Sequence, residues 1–197
     1  HPTTRAGHRG RCARLVHGWW PMRLRLRFSK LGKVRFTSHR DVARIWERAM
    51  RRAQLPLAQS EGFSPRPKVH FGLALSTSHE SLGEYLDVDL TDPESEAVDL
   101  EGLPELLTGL LPVGMTVEEV AVIERGGESL QQAVTACTWR MEVPGVTPEE
   151  LAPRVAALLA AEELLVTRER KGKAVTDDIR PAIRSIVVTG PTPPERV

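Results

Sequence analysis

Between Met22 and Phe28 the chain alternates strictly, with Leu24, Leu26 and Phe28 apolar and Arg23, Arg25 and Arg27 charged. A period of two predicts a strand with one face in a core and the other in water. After Gly32 the period changes. Ser38-His-Arg-Asp41 offers a helix cap with an acid three positions on, and Val42, Ile45, Trp46, Ala49 and Ala53 follow at helical spacing, which predicts a helix over about 39–54. Gly62-Phe-Ser-Pro-Arg-Pro67 is turn chemistry. Strands are expected near 69–75 and near 84–90, the second from the alternation of Leu86, Val88 and Leu90 with Tyr85, Asp87 and Asp89.

Asp92-Pro93 and the leucines at 103, 106, 107, 110 and 111 read as a second helical region, broken at Gly102 and Pro104. The stretch 116–124 then supplies a closing strand. The order βαββαβ is the split-βαβ arrangement, so the expected fold class is α+β, with a ferredoxin-like unit over residues 22–125. Residues 126–197 begin the same order again: a strand at 132–143, a helix opened by Thr147-Pro148-Glu149-Glu150, strands near 163–170 and 173–179 joined at Lys171-Gly172-Lys173, and a last strand from Ile183 to Thr189. No closing helix precedes Val197. The expectation is a second ferredoxin-like unit, either incomplete by design or cut short.

Residues 1–21 mix Arg, His, Gly and Trp with neither period and without the apolar stretch of a signal peptide. They are expected to be a disordered leader before a natural start at Met22. The net charge of +1 conceals a segregation: residues 22–70 carry 13 Lys/Arg against three Asp/Glu, a net of +10, while residues 71–197 carry 10 against 23, a net of −13. Such asymmetry suggests a polyanionic partner on one face, or mutual neutralisation of the two parts in the fold. The longest run without a charge, Leu106 to Val117, is far below the ~20 apolar residues that span a bilayer, so no membrane role is expected. With only Cys12 and Cys137, a disulfide scaffold, a four-thiolate zinc site and a cysteine-ligated cluster are excluded within this chain, and a cytoplasmic setting is expected.

The candidate chemistry is concentrated on the first helix. At 100° per residue Arg40, Arg44, Arg48, Arg51 and Arg52 gather opposite the apolar stripe. Like charges at these spacings oppose the helix unless an anion compensates, and guanidinium suits phosphate. Arg66 and Lys68 in the following loop extend the patch, and the two prolines of Gly62-Phe-Ser-Pro-Arg-Pro-Lys68 stiffen it. A solvated helix face and a rigid connector are the structural readings of the same residues. His39, beside the helix N-terminus, is a weak candidate for acid–base work on a phosphoester. Its match to a kinase catalytic loop fails, because Trp46 stands where Asn is needed. Glu84, Asp87 and Asp89 lack His or Cys at ligand spacing and read as a solvated or Arg-paired sheet face rather than a metal site. Asp177-Asp178 and Arg180-Pro181 read as an ion-pair bridge between the two units. No cofactor motif is present.

At Phe36-Thr-Ser-His-Arg-Asp41, Arg48-Ala-Met-Arg-Arg-Ala53, Gly62-Phe-Ser-Pro-Arg-Pro-Lys68, Glu84-Tyr-Leu-Asp87 and Asp178-Ile-Arg-Pro181 the chain resembles the radical-SAM-associated proteins, a bacterial family of unknown function. The resemblance covers about residues 22–190. It singles out Ser38, His39, Asp41, Gly62, Phe63, Ser64, Pro65, Pro67, Glu84, Asp87, Asp178 and Arg180, and departs from the family at Ser78, where Gly is preferred. It implies a domain fused to, or made apart from, a radical SAM enzyme, and a setting near an RNase E/G-type ribonuclease. The Cys-x3-Cys-x2-Cys motif is absent, so the chain can only assist radical SAM chemistry. The expected function is that of an accessory domain binding RNA or ribonucleoprotein, without catalysis of its own. A docking module for such an enzyme or ribonuclease, and a metal-independent phosphoesterase or nuclease using His39, are the alternatives.

Overall fold

The computed structural model describes residues 22–91, 98–124 and 128–190; the expected leader and the Pro93 start of the second helical region lie outside them. The chain divides into two compact units, His1–Cys137 and Thr138–Val197. The division falls after Cys137, where the sequence reading places it at 125.

The first unit is built on β1 (Arg23–Lys30), α1 (His39–Arg52), β2 (Val69–Phe71), β3 (Ser81–Asp89), α2 (Leu103–Leu110), β4 (Met115–Ile123) and the short α3 (Leu130–Ala133). Its sheet has the order β2-β3-β1-β4, and every neighbouring pair is antiparallel. Leu24, Leu26 and Phe28 of β1 are buried with Leu86, Val88 and Leu90 from β3 and its end. Val42, Trp46 and Met50 of α1, Leu103 and Leu107 of α2, and Met115 and Val117 of β4 join this core. The Trp46 ring stands edge-on to Phe28 at 4.9 Å between centroids, a favoured aromatic geometry. The apolar periodicity of 39–54 therefore does what it predicts, and the helix opens where expected, with Ser38 as N-cap.

Three expected strands end differently. β2 stops at Phe71 rather than 75. Beyond it the chain leaves the sheet at Gly72, and residues 76–80 return to the 3-10 turn Gly32–Phe36, where Ser78 N–H donates to the Arg35 carbonyl at 2.8 Å and Glu80 accepts from Gly32 N–H at 2.7 Å. Ser78 has φ +74°, a left-handed conformation that favours glycine. The expected strand at 132–143 does not form: Leu130–Ala133 is helical, and residues 134–143 carry no regular element. Ile183 to Thr189 likewise enters no sheet. Alternating side chains predict a half-buried surface, but a strand also needs a ladder to join.

Among its described residues the second unit has a helix, a hairpin and a short 3-10 turn: α4 (Pro148–Ala160), β5 (Leu165–Arg170), β6 (Lys173–Asp178) and Arg180–Ala182. Thr147 and Glu150 cap α4 reciprocally. Lys171 and Gly172 both have positive φ, 50° and 73°, the combination that a tight hairpin turn matching strand twist requires. Among the described residues of this unit none is fully buried.

Two glycines separate backbone need from accident. Gly114, between α2 and β4, has φ +96°, and a Cβ there would run into the Leu31 carbonyl. Gly109 lies in α2 with open space where its Cβ would be. Gly114→Ala is expected to cost about 2 kcal/mol or more, while Gly109→Ala is expected to gain up to about 1 kcal/mol. Urea unfolding midpoints check both.

Candidate nucleic-acid interface

The arginines of β1 and those of α1 meet opposite fates. On the sheet face away from the core, Arg23 grips Asp89 through Nε at 2.6 Å and a terminal nitrogen at 3.2 Å, and Arg25 grips Asp87 at 2.8 and 2.9 Å. Arg27 reaches Glu119 at 3.1 Å, and His70 Nε2 lies 4.0 Å from Asp89. Asp87 and Asp89 are buried, and both guanidiniums are held above their ordinary value by the hydrogen bonds they give to these carboxylates. Glu84, in contrast, lies beside Lys30. The sequence reading of an Arg-paired sheet face describes Asp87 and Asp89 directly.

On α1, Arg40, Arg44, Arg48, Arg51 and Arg52 are all exposed. Arg44 meets Asp41 at 3.3 Å, a solvent-exposed pair of small energetic weight. Among the described residues, no carboxylate forms an ion pair with the other four. Ser38 and Asp41 complete the cap: Asp41 N–H donates to Ser38 Oγ at 3.2 Å, and Ser38 Oγ donates to Asp41 Oδ2 at 2.7 Å. That hydroxyl, followed by the charge of Arg44, holds the Asp41 carboxyl below its usual range. The structural reading of Asp41 as the acid of the cap is thus sufficient.

The loop after α1 is fastened to itself. Ser60 N–H donates to the Arg66 carbonyl at 2.8 Å, Arg66 N–H to Ser60 Oγ at 3.0 Å, and Lys68 N–H to the Ala58 carbonyl at 2.8 Å. Gly62 sits at φ +123°, a conformation open to glycine and costly for other residues. Phe63, Ser64 and Arg66 are exposed at the tip, and Lys68 is half-buried. Pro65 and Pro67 face back across an open groove of about 400 Å³ whose other wall includes Glu47, Arg51, Pro56 and Gln59. The groove lies between the end of α1 and the loop, and among its lining residues Arg51 is the basic one.

His39 lies at the other end of α1. Its ring stands edge-on to Phe71 at 5.2 Å and lines a cavity of about 10 Å³ with Lys30 and Glu84, room for about one water molecule. Sequence reasoning missed Lys30, which is 2% exposed and donates to the carbonyls of Thr37 at 3.1 Å and Arg35 at 3.4 Å. Burial pulls its ammonium below the ordinary lysine value, against the opposing charge of Glu84. The signal was present, because position 30 shares the parity of Leu24, Leu26 and Phe28 and so places a charge on the core face. Among the described residues, no group of three or more His, Cys, Asp or Glu side chains is placed to hold a metal ion, and no helix is long and apolar enough to cross a membrane.

Asp178 and Arg180 are engaged within the second unit, contrary to the expected bridge between units. Asp178 accepts the N–H groups of Leu164 at 2.8 Å and Arg180 at 3.0 Å, which hold its carboxyl below the usual range. Arg180 donates to the carbonyls of Leu159 at 2.8 Å and Ile183 at 3.1 Å, tying the hairpin to the end of α4. Asp177 pairs with Arg168 across the hairpin at 2.6 Å.

Fold and site together define an α+β protein that carries a basic helix face beside a stiff basic loop. The chain belongs to the family described as "Uncharacterized protein conserved in bacteria (DUF2344)", which matches residues 23–195. No curated protein matches the chain.

The pairing on the sheet gives a test. Arg25→Ala leaves the buried Asp87 carboxylate without its partner and is expected to cost about 2–3 kcal/mol, at the lower end for a buried pair because Arg25 is partly solvated. The double change Arg25→Met with Asp87→Leu is expected to recover most of that loss, read from chemical denaturation of the three proteins.

Proposed function

We propose that the first unit is a ferredoxin-like domain that binds RNA or ribonucleoprotein through Arg40, Arg44, Arg48, Arg51, Arg52, Arg66 and Lys68, without catalysis of its own, as an accessory to a radical SAM or RNA-processing enzyme. The antiparallel order β2-β3-β1-β4 supports the fold assignment, since splitting two βαβ units yields that order. The linked motifs at 36–41, 48–53, 62–68 and 84–87 support the association with radical SAM enzymes.

One observation carries the binding reading. Acids on β3 and β4 pair the arginines of β1, whereas four of the five arginines on α1 have no ion-pair partner among the described residues. Repulsion along the helix is then relieved by an anion from outside. A repeating phosphate backbone suits a ridge that runs over several turns, because each guanidinium that meets a phosphate releases condensed counterions. The edge-on packing of the His39 ring against Phe71 supports a structural role for that side chain.

The test is RNA affinity as a function of salt. Wild-type protein is expected to bind RNA with a log–log slope that becomes shallower by about two to three units in the triple variant Arg44→Ala, Arg48→Ala, Arg51→Ala. Salt-insensitive binding, or a triple variant that behaves as wild type, would overturn the proposal. Copurification of an enzyme partner that survives nuclease treatment would favour the docking reading instead.

A further inference from the structure

The tip of the loop that follows α1 presents an aromatic ring to solvent. Phe63 has a relative accessibility of 106%, so its ring contributes nothing to the core of its own unit. An isolated exposed phenylalanine needs no explanation in general. Here the surrounding backbone changes the argument. Hydrogen bonds between Ser60 and Arg66 close the loop on both sides of the ring, Gly62 supplies a positive φ just before it, and Pro65 and Pro67 restrict the backbone just after it. The ring is held out by a closed, stiffened turn, which leaves less ordering entropy to lose on binding.

The charges around it select the occupant. Arg66 is exposed on the same loop, and Arg51 lines the groove that separates the loop from α1. Glu61 is the loop-tip acid and Glu47 the acid of the groove. An apolar face on a loop that also carries an exposed guanidinium combines the two elements that hold an unpaired nucleotide, a stacking platform for the base and a cation for its phosphates. A duplex keeps its bases stacked inside and offers no free base face to such a surface.

We infer that Phe63 is a stacking platform for an unpaired base of single-stranded RNA whose backbone runs along the α1 ridge. The inference rests on the RNA-binding reading and adds to it a preference for unpaired strands. It assigns Phe63 a role in contact with the base, where the basic residues contact only the backbone.

The experiment compares the whole chain and its variants on an unstructured RNA of about 12 nucleotides, within the range of single-strand site sizes, and on the same sequence as a duplex. Phe63→Ala is expected to weaken binding to the single strand by roughly tenfold and to leave duplex binding unchanged. Phe63→Trp is expected to retain single-strand affinity. A strand carrying one 2-aminopurine should show a fluorescence change on binding that Phe63→Ala abolishes. Because the side chain is fully exposed, its removal leaves the core intact. Unchanged single-strand affinity in Phe63→Ala, or equal losses on strand and duplex, would overturn the stacking role while the ridge still binds. Absence of salt-dependent binding by the wild type to either RNA would remove both readings.

Discussion

Strand β1 lies between β3 and β4, and its register with both is the constraint on which the first unit depends. Leu24 stands opposite Val88, and Leu26 opposite Leu86; Arg23 stands opposite Asp89, Arg25 opposite Asp87 and Arg27 opposite Glu119. Apolar residues meet apolar residues on one face, and opposite charges meet on the other. A slip by one residue would drive three guanidiniums into the core and turn Leu24, Leu26 and Phe28 to water. The buried carboxylates reinforce the choice, because Asp87 without Arg25 would be a desolvated charge stripped of its ion-pair partner.

This pairing also explains how charge is distributed over the first unit. The sheet brings acids from β3 and β4 onto the arginines of β1, so the basic character of residues 22–30 is neutralised locally. Among the described residues of the first unit, the ion-pair partner found for the arginines of α1 is Asp41, within the helix cap. The helix is held by Trp46, Val42 and Met50 on its inner face, and that packing is strong enough to keep a self-repelling outer face helical. A net charge near zero therefore coexists with a concentrated basic ridge.

The regions around the ridge differ in how their geometry is fixed. The loop after α1 is fixed by hydrogen bonds of its own backbone, together with glycine and proline at the positions where they restrict or release φ. The loop between β2 and β3 is fixed by contacts to the 3-10 turn at 32–36, including the pair Arg35–Glu80 at 3.1 Å. The latter accepts Ser78 in a left-handed conformation, one that favours glycine. The second unit carries two local signals that are satisfied, a capped helix and a tight hairpin, while its described residues bury little apolar surface.

How much could be read beforehand follows the range of the interaction involved. The period of β1, the cap and apolar stripe of α1, the capping box of α4 and the Lys171-Gly172 turn depend on residues within a few positions of each other, and the sequence shows them directly. The basic helix face is of this kind too, since helical geometry alone places its arginines together. The end of β2 at Phe71, the absence of strands at 132–143 and 183–189, and the destination of Arg180 depended on which ladder or carbonyl was within reach. The sequence by itself determined where α1 begins and which of its faces is apolar, because spacing and capping are local. Only the tertiary structure decided which arginines found carboxylates and which did not, because partners such as Arg25 and Asp87 lie 62 positions apart and meet only when the sheet aligns them.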